Sequence, residues 1–262
     1  MKVTLFTSNK NRHNYLINLL SQVSDKLFVI QECSTIFPGL IPGPYPTSLL
    51  MEEYFKNVNN AQSKIFGNSF INNSKKNINI LSMVFGDLNK CTMNSLSNFL
   101  DSDIYIVFGC SFLKGDLIKF LVNQKAINIH AGISPYYRGT DCNFWALYDG
   151  NPHLVGATIH LLSKGLDSGP ILYHAMSNLK KDPFEYTMST MKSAFDSIAM
   201  KIKDKSIFKI KPTLQDRKIE IRYSKKIEFN EDALRNYFKK EINLNHKKFN
   251  LSLLKEPFFL NN

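Results

Sequence analysis

The chain alternates short apolar runs with longer segments whose apolar residues recur at helical spacing. The apolar runs are residues 3–7, 27–30, 78–85, 104–108 and 126–130, and the helical patterns cover 12–22, 48–66, 113–122 and 183–202. Continuous apolar runs of this length are typical of parallel strands that are buried on both faces. We therefore predict an α/β fold, with an open, mainly parallel sheet covered by helices on both faces.

The pattern changes after about Pro212, where a short alternating strand at 220–223 and a helix at 231–241 follow. We predict a core domain over residues 1–211 and a small C-terminal subdomain over residues 212–262. Residues 36–46 contain four prolines and two glycines, which predicts a loop there. A chain of 262 residues with 44% hydrophobic residues can bury a core of this size.

Composition excludes several classes of protein. The longest apolar run, residues 104–113, is too short to span a bilayer, and residues 3–6 are too short for a signal peptide, so we expect a cytoplasmic protein without a membrane span. The 4 cysteines lack paired spacing, which predicts reduced thiols and no metal site. The net charge of +11 fits either a phosphate-rich partner or a solvated basic surface. We favour the surface, because no block of five like charges occurs, and we do not expect a nucleic-acid partner.

Asn128 and His130 stand two residues apart at the end of one predicted strand, and Asp167 lies in the turn sequence GLDSG. Residues at i and i+2 of a strand project to the same face. An amide, an imidazole base and an orienting carboxylate suffice for acyl transfer to an amine. The carboxylate would raise the histidine pKa from its ordinary value of about 6.5 and fix the ring. The alternative is that Asn128 only ends a strand and His130 is a buried structural histidine. The other five histidines lack this context, and we expect core or surface roles for them.

These residues lie in a set of motifs that resembles the folate-dependent formyltransferases, the family of glycinamide ribonucleotide transformylase and methionyl-tRNA formyltransferase. The family motifs Asn-x-His, Pro-x-x-Arg-Gly and Leu-Asp-x-Gly appear in order as NIH at 128–130, PYYRG at 135–139 and LDSG at 166–169. The GATIH sequence at 156–160 is similar to a further family strand. One departure is Ala131-Gly132, where the family usually has Pro-Ser.

The resemblance implies that 10-formyltetrahydrofolate is the co-substrate and that an amine attacks its formyl carbon. In that family the histidine assists loss of the amine proton and the asparagine amide stabilises the oxyanion, so Asn128, His130 and Asp167 are the predicted catalytic residues. The predicted folate-binding residues are Phe108, Gly109, Ser111, Phe112, Leu113, Gly165 and Leu166.

The acceptor is expected to bind at two places. The first loop joins a strand to a helix N-terminus, where backbone amides attract anions, although it lacks the family's glycines and is alternatively a polar surface turn. Trp145 is expected to be buried on a helix rather than stacked on substrate. The predicted substrate-binding residues are Ser8, Asn9, Lys10, Arg12, Tyr137, Arg138, Gly139, Thr140 and Asn143.

The segment RGTDCNFWAL at 138–147 is especially similar to bacterial sugar N-formyltransferases, which act on nucleotide-linked amino sugars for surface polysaccharide. This implies a 4-amino-4,6-dideoxyhexose on GDP or dTDP, with GDP-perosamine first, and a route to lipopolysaccharide O-antigen. Relatives commonly dimerise through the small C-terminal part, so a homodimer is expected. The alternatives are a methionyl-tRNA formyltransferase with a shortened C-terminal domain and a non-catalytic protein that binds sugar nucleotides.

Overall fold

The computed structural model describes residues 1–35, 47–72, 75–242, 244 and 251–260. Within these residues, an eight-stranded sheet has the order β10-β8-β7-β5-β4-β1-β2-β3, and β6 pairs with β9 in a separate two-stranded sheet. The strands are β1 (Lys2–Thr7), β2 (Lys26–Cys33), β3 (Ile78–Val84), β4 (Ile104–Val107), β5 (Ile127–His130), β6 (Tyr137–Gly139), β7 (Ala157–Leu161), β8 (Ile171–Ser177), β9 (Arg222–Ser224) and β10 (Phe258–Leu260).

Seven α-helices occur in the described part of the chain. Several of them begin at a side-chain cap: for example, the Ser48 hydroxyl accepts from the Met51 amide, and the Asp182 carboxylate accepts from the Glu185 amide just before Pro183. The helices are α1 (Asn11–Val23), α2 (Leu49–Phe66), α3 (Met93–Leu96), α4 (Gly115–Asn123), α5 (Cys142–Tyr148), α6 (Pro183–Lys203) and α7 (Glu231–Lys239).

The predicted α/β fold is confirmed. The first five strands pair in parallel, and β7 is antiparallel to both β5 and β8. Side chains alternate between two cores along β4, because Ile106 packs with α1 and α6 on one face of the sheet while Val107 packs with α4 on the other. Helices therefore cover both faces, as the apolar runs predict.

The strand β3 does not have the expected environment. Its apolar run predicts a strand buried on both faces, but β3 lies at the sheet edge, and Val84 is 60% exposed. An edge strand has a neighbour on one side only, so its side chains are covered less completely. A local apolar run cannot report a strand's position in the sheet.

Residues after Pro212 pack directly against the rest of the chain. The strand β9 pairs with β6, and β10 joins the main sheet beside β8. Tyr237 of α7 stacks on Phe144 of α5 at 4.8 Å between ring centroids. A division at residue 212 stays a prediction. The predicted loop at 36–46 and His246 lie outside the described residues. None of the helices described is both long and apolar enough to cross a bilayer.

Candidate active site

Asn128, His130 and Asp167 lie together at the carboxyl end of β5. The Nδ1 atom of His130 is 3.3 Å from Oδ2 of Asp167, and the Asn128 amide donates to Oδ1 of the same carboxylate at 3.3 Å. The i, i+2 spacing places the amide and the imidazole on one face, as predicted. The carboxylate comes from a turn 39 residues away from Asn128.

His160 completes this cluster, although its sequence context predicts only a core or surface role. It lies opposite Asn128 in the antiparallel pairing of β5 and β7, and its Nε2 is 3.0 Å from the Asn128 amide nitrogen. Its Nδ1 is 2.8 Å from the Leu161 carbonyl, which can only accept, so Nδ1 carries the proton and Nε2 accepts from Asn128. Both amide hydrogens of Asn128 are therefore engaged, one by His160 and one by Asp167.

Both ring nitrogens of His130 face acceptors. Nδ1 faces Asp167, and Nε2 is 3.2 Å from the backbone carbonyl of Tyr137. A neutral ring can donate to only one of them, whereas the protonated ring can donate to both. Burial nevertheless lowers the pKa of His130, and Asp167 offsets this only in part. Asp167 favours the protonated ring, as expected, but the net pKa of His130 is lowered because the loss of hydration outweighs the effect of the single carboxylate.

The Asp167 side chain is ionised and its backbone is held in an unusual conformation. Burial by itself would raise the pKa of Asp167, but the interaction with His130 and a hydrogen bond from the Gly139 backbone oppose it, and the pKa is lowered. The φ angle of 45° lies in the left-handed region that non-glycine residues seldom adopt. Its backbone carbonyl accepts from Arg138 Nε at 3.2 Å and from Gln215 Nε2 at 2.9 Å.

Arg138, a predicted substrate-binding residue, is buried and engaged within the protein. Its guanidinium donates to the carbonyls of Leu166 at 2.8 Å and Asp167, and its third nitrogen contacts Glu220 at 2.7 Å. The side chain is 7% exposed, so little of it can reach a ligand. In this structure Arg138 supports the turn that carries Asp167.

The loop after β5 leaves no room for a side chain at Gly132. A Cβ there would lie 2.7 Å from His130 Nε2 and 2.5 Å from the Cβ of Cys142. Ala131, in contrast, is exposed. The departure from the family sequence therefore includes a glycine that lets the loop pass directly beside the imidazole.

Other predicted substrate-binding residues also contact protein groups. The Tyr137 hydroxyl donates to Asp149 at 3.3 Å, and the Asn143 amide oxygen accepts from Gly156 at 3.0 Å. Gly139 has a φ of 97° and faces the Ser224 carbonyl too closely for a Cβ, while the Thr140 amide donates to that same carbonyl. Trp145 is buried, as expected.

The first loop is held at the carboxyl end of β1. The Asn9 side chain exchanges two hydrogen bonds of 3.1 Å with the backbone of Ser34, and Ser8 is buried with its carbonyl bonded to Gln31. Arg12 donates to Gln62 at 3.0 Å. Burial, and then the Arg12 charge, lowers the pKa of Lys10. Two cations close together at a helix N-terminus favour an anion.

The predicted folate-binding loop follows β4, and Val107 pairs with Asn128 at the end of that strand. The buried Glu32 carboxylate accepts from the amides of Gly86, Leu88 and Ser111, which fixes this loop. Gly109 and Phe112 are exposed, whereas Phe108 and Leu113 are buried in the two cores.

On the second predicted folate-binding segment, Gly165 is exposed and Leu166 is partly buried. In the part of the chain that the structure describes, no group of three or more His, Cys, Asp and Glu residues could hold a metal ion.

Asn128, His130, His160 and Asp167 all lie in a segment that is similar to known proteins. Residues 89–202 match the family model described as formyl transferase. The methionyl-tRNA formyltransferase of Thermosynechococcus vestitus is 36% identical over 73 residues, which is 28% of this chain and 22% of that protein. The chain therefore aligns with only about a fifth of the length of that curated relative.

Two solved structures share the fold over most of the chain. A sugar N-formyltransferase from a Shewanella species has a TM-score of 0.55 at 17% identity, covering 100% of this chain and 93% of that one. A phosphoribosylglycinamide formyltransferase from Anaplasma phagocytophilum has a TM-score of 0.51 at 20% identity, covering 82% and 92%. The chain therefore carries a formyl transferase match over residues 89–202 and shares the fold of these two formyltransferases.

Proposed function

On the premise that residues 89–202 carry a formyl transferase domain, we propose that this protein transfers a formyl group from 10-formyltetrahydrofolate to the amine of a nucleotide-linked amino sugar. The observation that carries the proposal is the buried contact of His130 with Asp167, beside Asn128, at the end of β5. A base, an orienting acid and an amide donor at one sheet edge provide the groups that acyl transfer to an amine requires.

His130 is the general base. Asp167 holds the proton on Nδ1, so the neutral ring carries its lone pair on Nε2, where it takes the proton that the attacking amine loses. The ring then becomes protonated, and its two N–H groups face Asp167 and the Tyr137 carbonyl. When the tetrahedral adduct collapses to the formamide, its bond to the tetrahydrofolate nitrogen breaks and the imidazolium would return the proton to that leaving nitrogen. A positioned base of this kind contributes roughly 10²–10⁴-fold in rate.

Asn128 is the proposed oxyanion donor. Because both of its amide hydrogens are engaged by His160 and Asp167, one of these bonds must be exchanged for the oxyanion as the tetrahedral intermediate forms. A donor that strengthens its interaction at that point stabilises the transition state by about 3 kcal/mol. His160 keeps the amide aligned until the exchange.

The loop that follows β4 fits a folate. Its conformation is fixed by Glu32 and by Asn89, which donates to the Phe112 carbonyl at 3.0 Å. Gly109 offers exposed backbone and Phe112 an apolar ring that is 51% exposed. The bound folate would supply the formyl group here, and the exposed Gly165 and the partly buried Leu166 are proposed to border the same site.

The proposed acceptor is a 4-amino-4,6-dideoxyhexose on GDP or dTDP, with GDP-perosamine first, for surface polysaccharide. The similarity of residues 138–147 to sugar N-formyltransferases supports this choice. Lys10 and Arg12 are proposed to bind the pyrophosphate. The homodimer and the cytoplasmic location stay predictions.

An acceptor panel tests the proposal. The purified protein is supplied with 10-formyltetrahydrofolate and, separately, with GDP-, dTDP- and UDP-linked amino sugars, glycinamide ribonucleotide and methionyl-tRNA. Release of tetrahydrofolate and the mass of the product are measured. We expect formylation of a sugar nucleotide only, and none by the matched His130→Asn variant.

Methionyl-tRNA is the second candidate acceptor, because the curated relatives carry that activity in their names. Formylation of methionyl-tRNA with no turnover of any sugar would replace the proposal. A tRNA substrate would also give a rate that falls steeply with salt, since many phosphate contacts are involved. A non-catalytic binding protein would show a thermal shift with a sugar nucleotide but no release of tetrahydrofolate.

A further inference from the structure

Residues 213–224 run along the turn that carries Asp167. This segment begins where the backbones of Thr213 and Ile171 exchange two hydrogen bonds of 2.9 and 2.7 Å. It ends in β9, where the backbone amides of Ile221 and Arg222 both donate to the Tyr136 carbonyl. The segment is thus fixed at its start to β8 and at its end to Tyr136 and the adjoining strand β6.

Gln215 makes a direct contact with the turn. Its side-chain amide donates to the carbonyls of Asp167 at 2.9 Å and Gly169 at 2.7 Å. These two carbonyls lie on either side of Ser168. The single side-chain amide of Gln215 therefore holds the backbone both before and after that residue. This contact spans 48 residues of sequence.

Glu220 acts on the same turn through Arg138. The carboxylate is 2.7 Å from Arg138 Nη1, while Nε and Nη2 of that guanidinium donate to the carbonyls of Asp167 and Leu166. The guanidinium is planar, so fixing one nitrogen fixes the direction of the other two. The Tyr223 ring lies 5.5 Å from the guanidinium carbon.

Asp167 needs such support because its φ of 45° is unfavourable for a non-glycine residue. Its carbonyl accepts from both Gln215 and Arg138, so the peptide that follows the aspartate is held from two directions. With the backbone fixed, the carboxylate is directed at His130. An aspartate free to relax to negative φ would carry its carboxylate elsewhere.

We infer that Gln215 and Glu220, two side chains of the 213–224 segment, are positioning residues for Asp167. The inference rests on the proposed function for its effect on rate, but its effect on the His130–Asp167 contact is independent of any substrate.

The kinetic test uses Gln215→Leu and Glu220→Gln. Because small misplacement of a catalytic group is costly, each should lower kcat by roughly 10- to 100-fold and leave the KM of the acceptor within about twofold. The matched control is Asp216→Asn, because the exposed Asp216 side chain is engaged in the next turn, where it accepts from the Lys218 amide at 2.9 Å. It should retain wild-type kcat. Thermal unfolding of every variant checks that the fold is kept.

The second test is an NMR pH titration of the His130 ring. The charged and titratable side chains that act on it are Asp167, His160 and Arg138. His174, whose pKa His130 lowers, and Cys142, which lies on the other side of Gly132, are the further titratable groups nearby. Asp167 favours the protonated ring, so Asp167→Asn should lower the His130 pKa and serves as the reference. Gln215→Leu and Glu220→Gln should shift the pKa in the same direction by less, and Asp216→Asn should not shift it.

The two readouts separate the hypotheses. A downward shift of the His130 pKa in both variants supports the inference even if the wild-type protein formylates no acceptor, in which case only the proposed function fails. An unchanged titration would overturn the inference, whether or not kcat falls, because the loss would then come from general destabilisation. Recovery of the pKa and of kcat in Glu220→Asp would be a further expected result.

Discussion

Asn128 and His160 face each other across β5 and β7, with the amide nitrogen of Asn128 3.0 Å from the ring Nε2 of His160. The Leu161 carbonyl fixes the ring tautomer, so His160 accepts rather than donates. His160 on β7 thus orients the side-chain amide of Asn128 on β5. Asp167 takes the other amide hydrogen, which makes one connected polar cluster of four side chains with His130.

Removing the acceptor at position 160 should disturb Asn128. In His160→Leu the amide loses one partner and turns more freely, so kcat should fall about tenfold with little change in KM. His160→Gln places an amide oxygen in the same direction and should recover most of the rate. Steady-state kinetics of both variants provide the measurement. Equal losses in the two would show that His160 acts only by packing.

Replacing His130 or Asp167 with Asn should abolish most turnover. His130→Asn removes the base, and Asp167→Asn removes the charge that orients it, so kcat should fall on the order of 10³–10⁴-fold. Binding of the sugar nucleotide, measured by calorimetry, should stay near the wild-type affinity, because neither group is expected to contact the nucleotide. A near-wild-type kcat in His130→Asn would rule out the proposed mechanism.

The decrease in rate at low pH should reflect protonation of the acceptor amine rather than of His130. Burial lowers the pKa of His130, so the base stays neutral to a lower pH than an exposed histidine would. The acceptor amine protonates first as the pH falls, and only its neutral form can attack. The apparent pKa of kcat/KM should therefore decrease when a less basic amine is supplied. One fixed apparent pKa for all acceptors would instead point to an enzyme group.

Lys10 should contribute to binding of the acceptor rather than to chemistry. A cation that contacts phosphates remote from the reacting amine stabilises ground state and transition state alike, so Lys10→Ala should raise KM about tenfold with nearly constant kcat. Lys119→Ala is the control, because Lys119 is an exposed lysine of α4 paired with Asp116. If Lys10→Ala keeps the wild-type KM, the pyrophosphate binds elsewhere.

Neighbouring substitutions in the loop after β5 should differ sharply. Gly132→Ala places a methyl group against His130 Nε2 and Cys142, which should reduce the free energy of unfolding by about 1–3 kcal/mol and displace the base. Ala131 is exposed, so Ala131→Ser should change stability by less than about 0.5 kcal/mol. Chemical denaturation of both variants provides the comparison. Equal stability would mean that the loop shifts without cost.

Local sequence patterns predicted much of this molecule. The apolar runs and helical spacings identified β1 to β5 and the helices α1, α2, α4 and α6, since side-chain periodicity along one element depends only on its own geometry. The two-residue spacing of Asn128 and His130 predicted a shared face for the same reason. The order of the motifs indicated that Asp167 would join them.

Only the tertiary structure decided the remainder. The exposure of β3 depends on which strands lie beside it, and the lowered pKa of His130 depends on everything that excludes water around the ring. Arg138 binds a carboxylate 82 residues away, and Gln215 a turn 48 residues away. Such contacts arise from packing between segments that are distant in the sequence. The periodicity of one segment does not indicate which distant segment it will pack against.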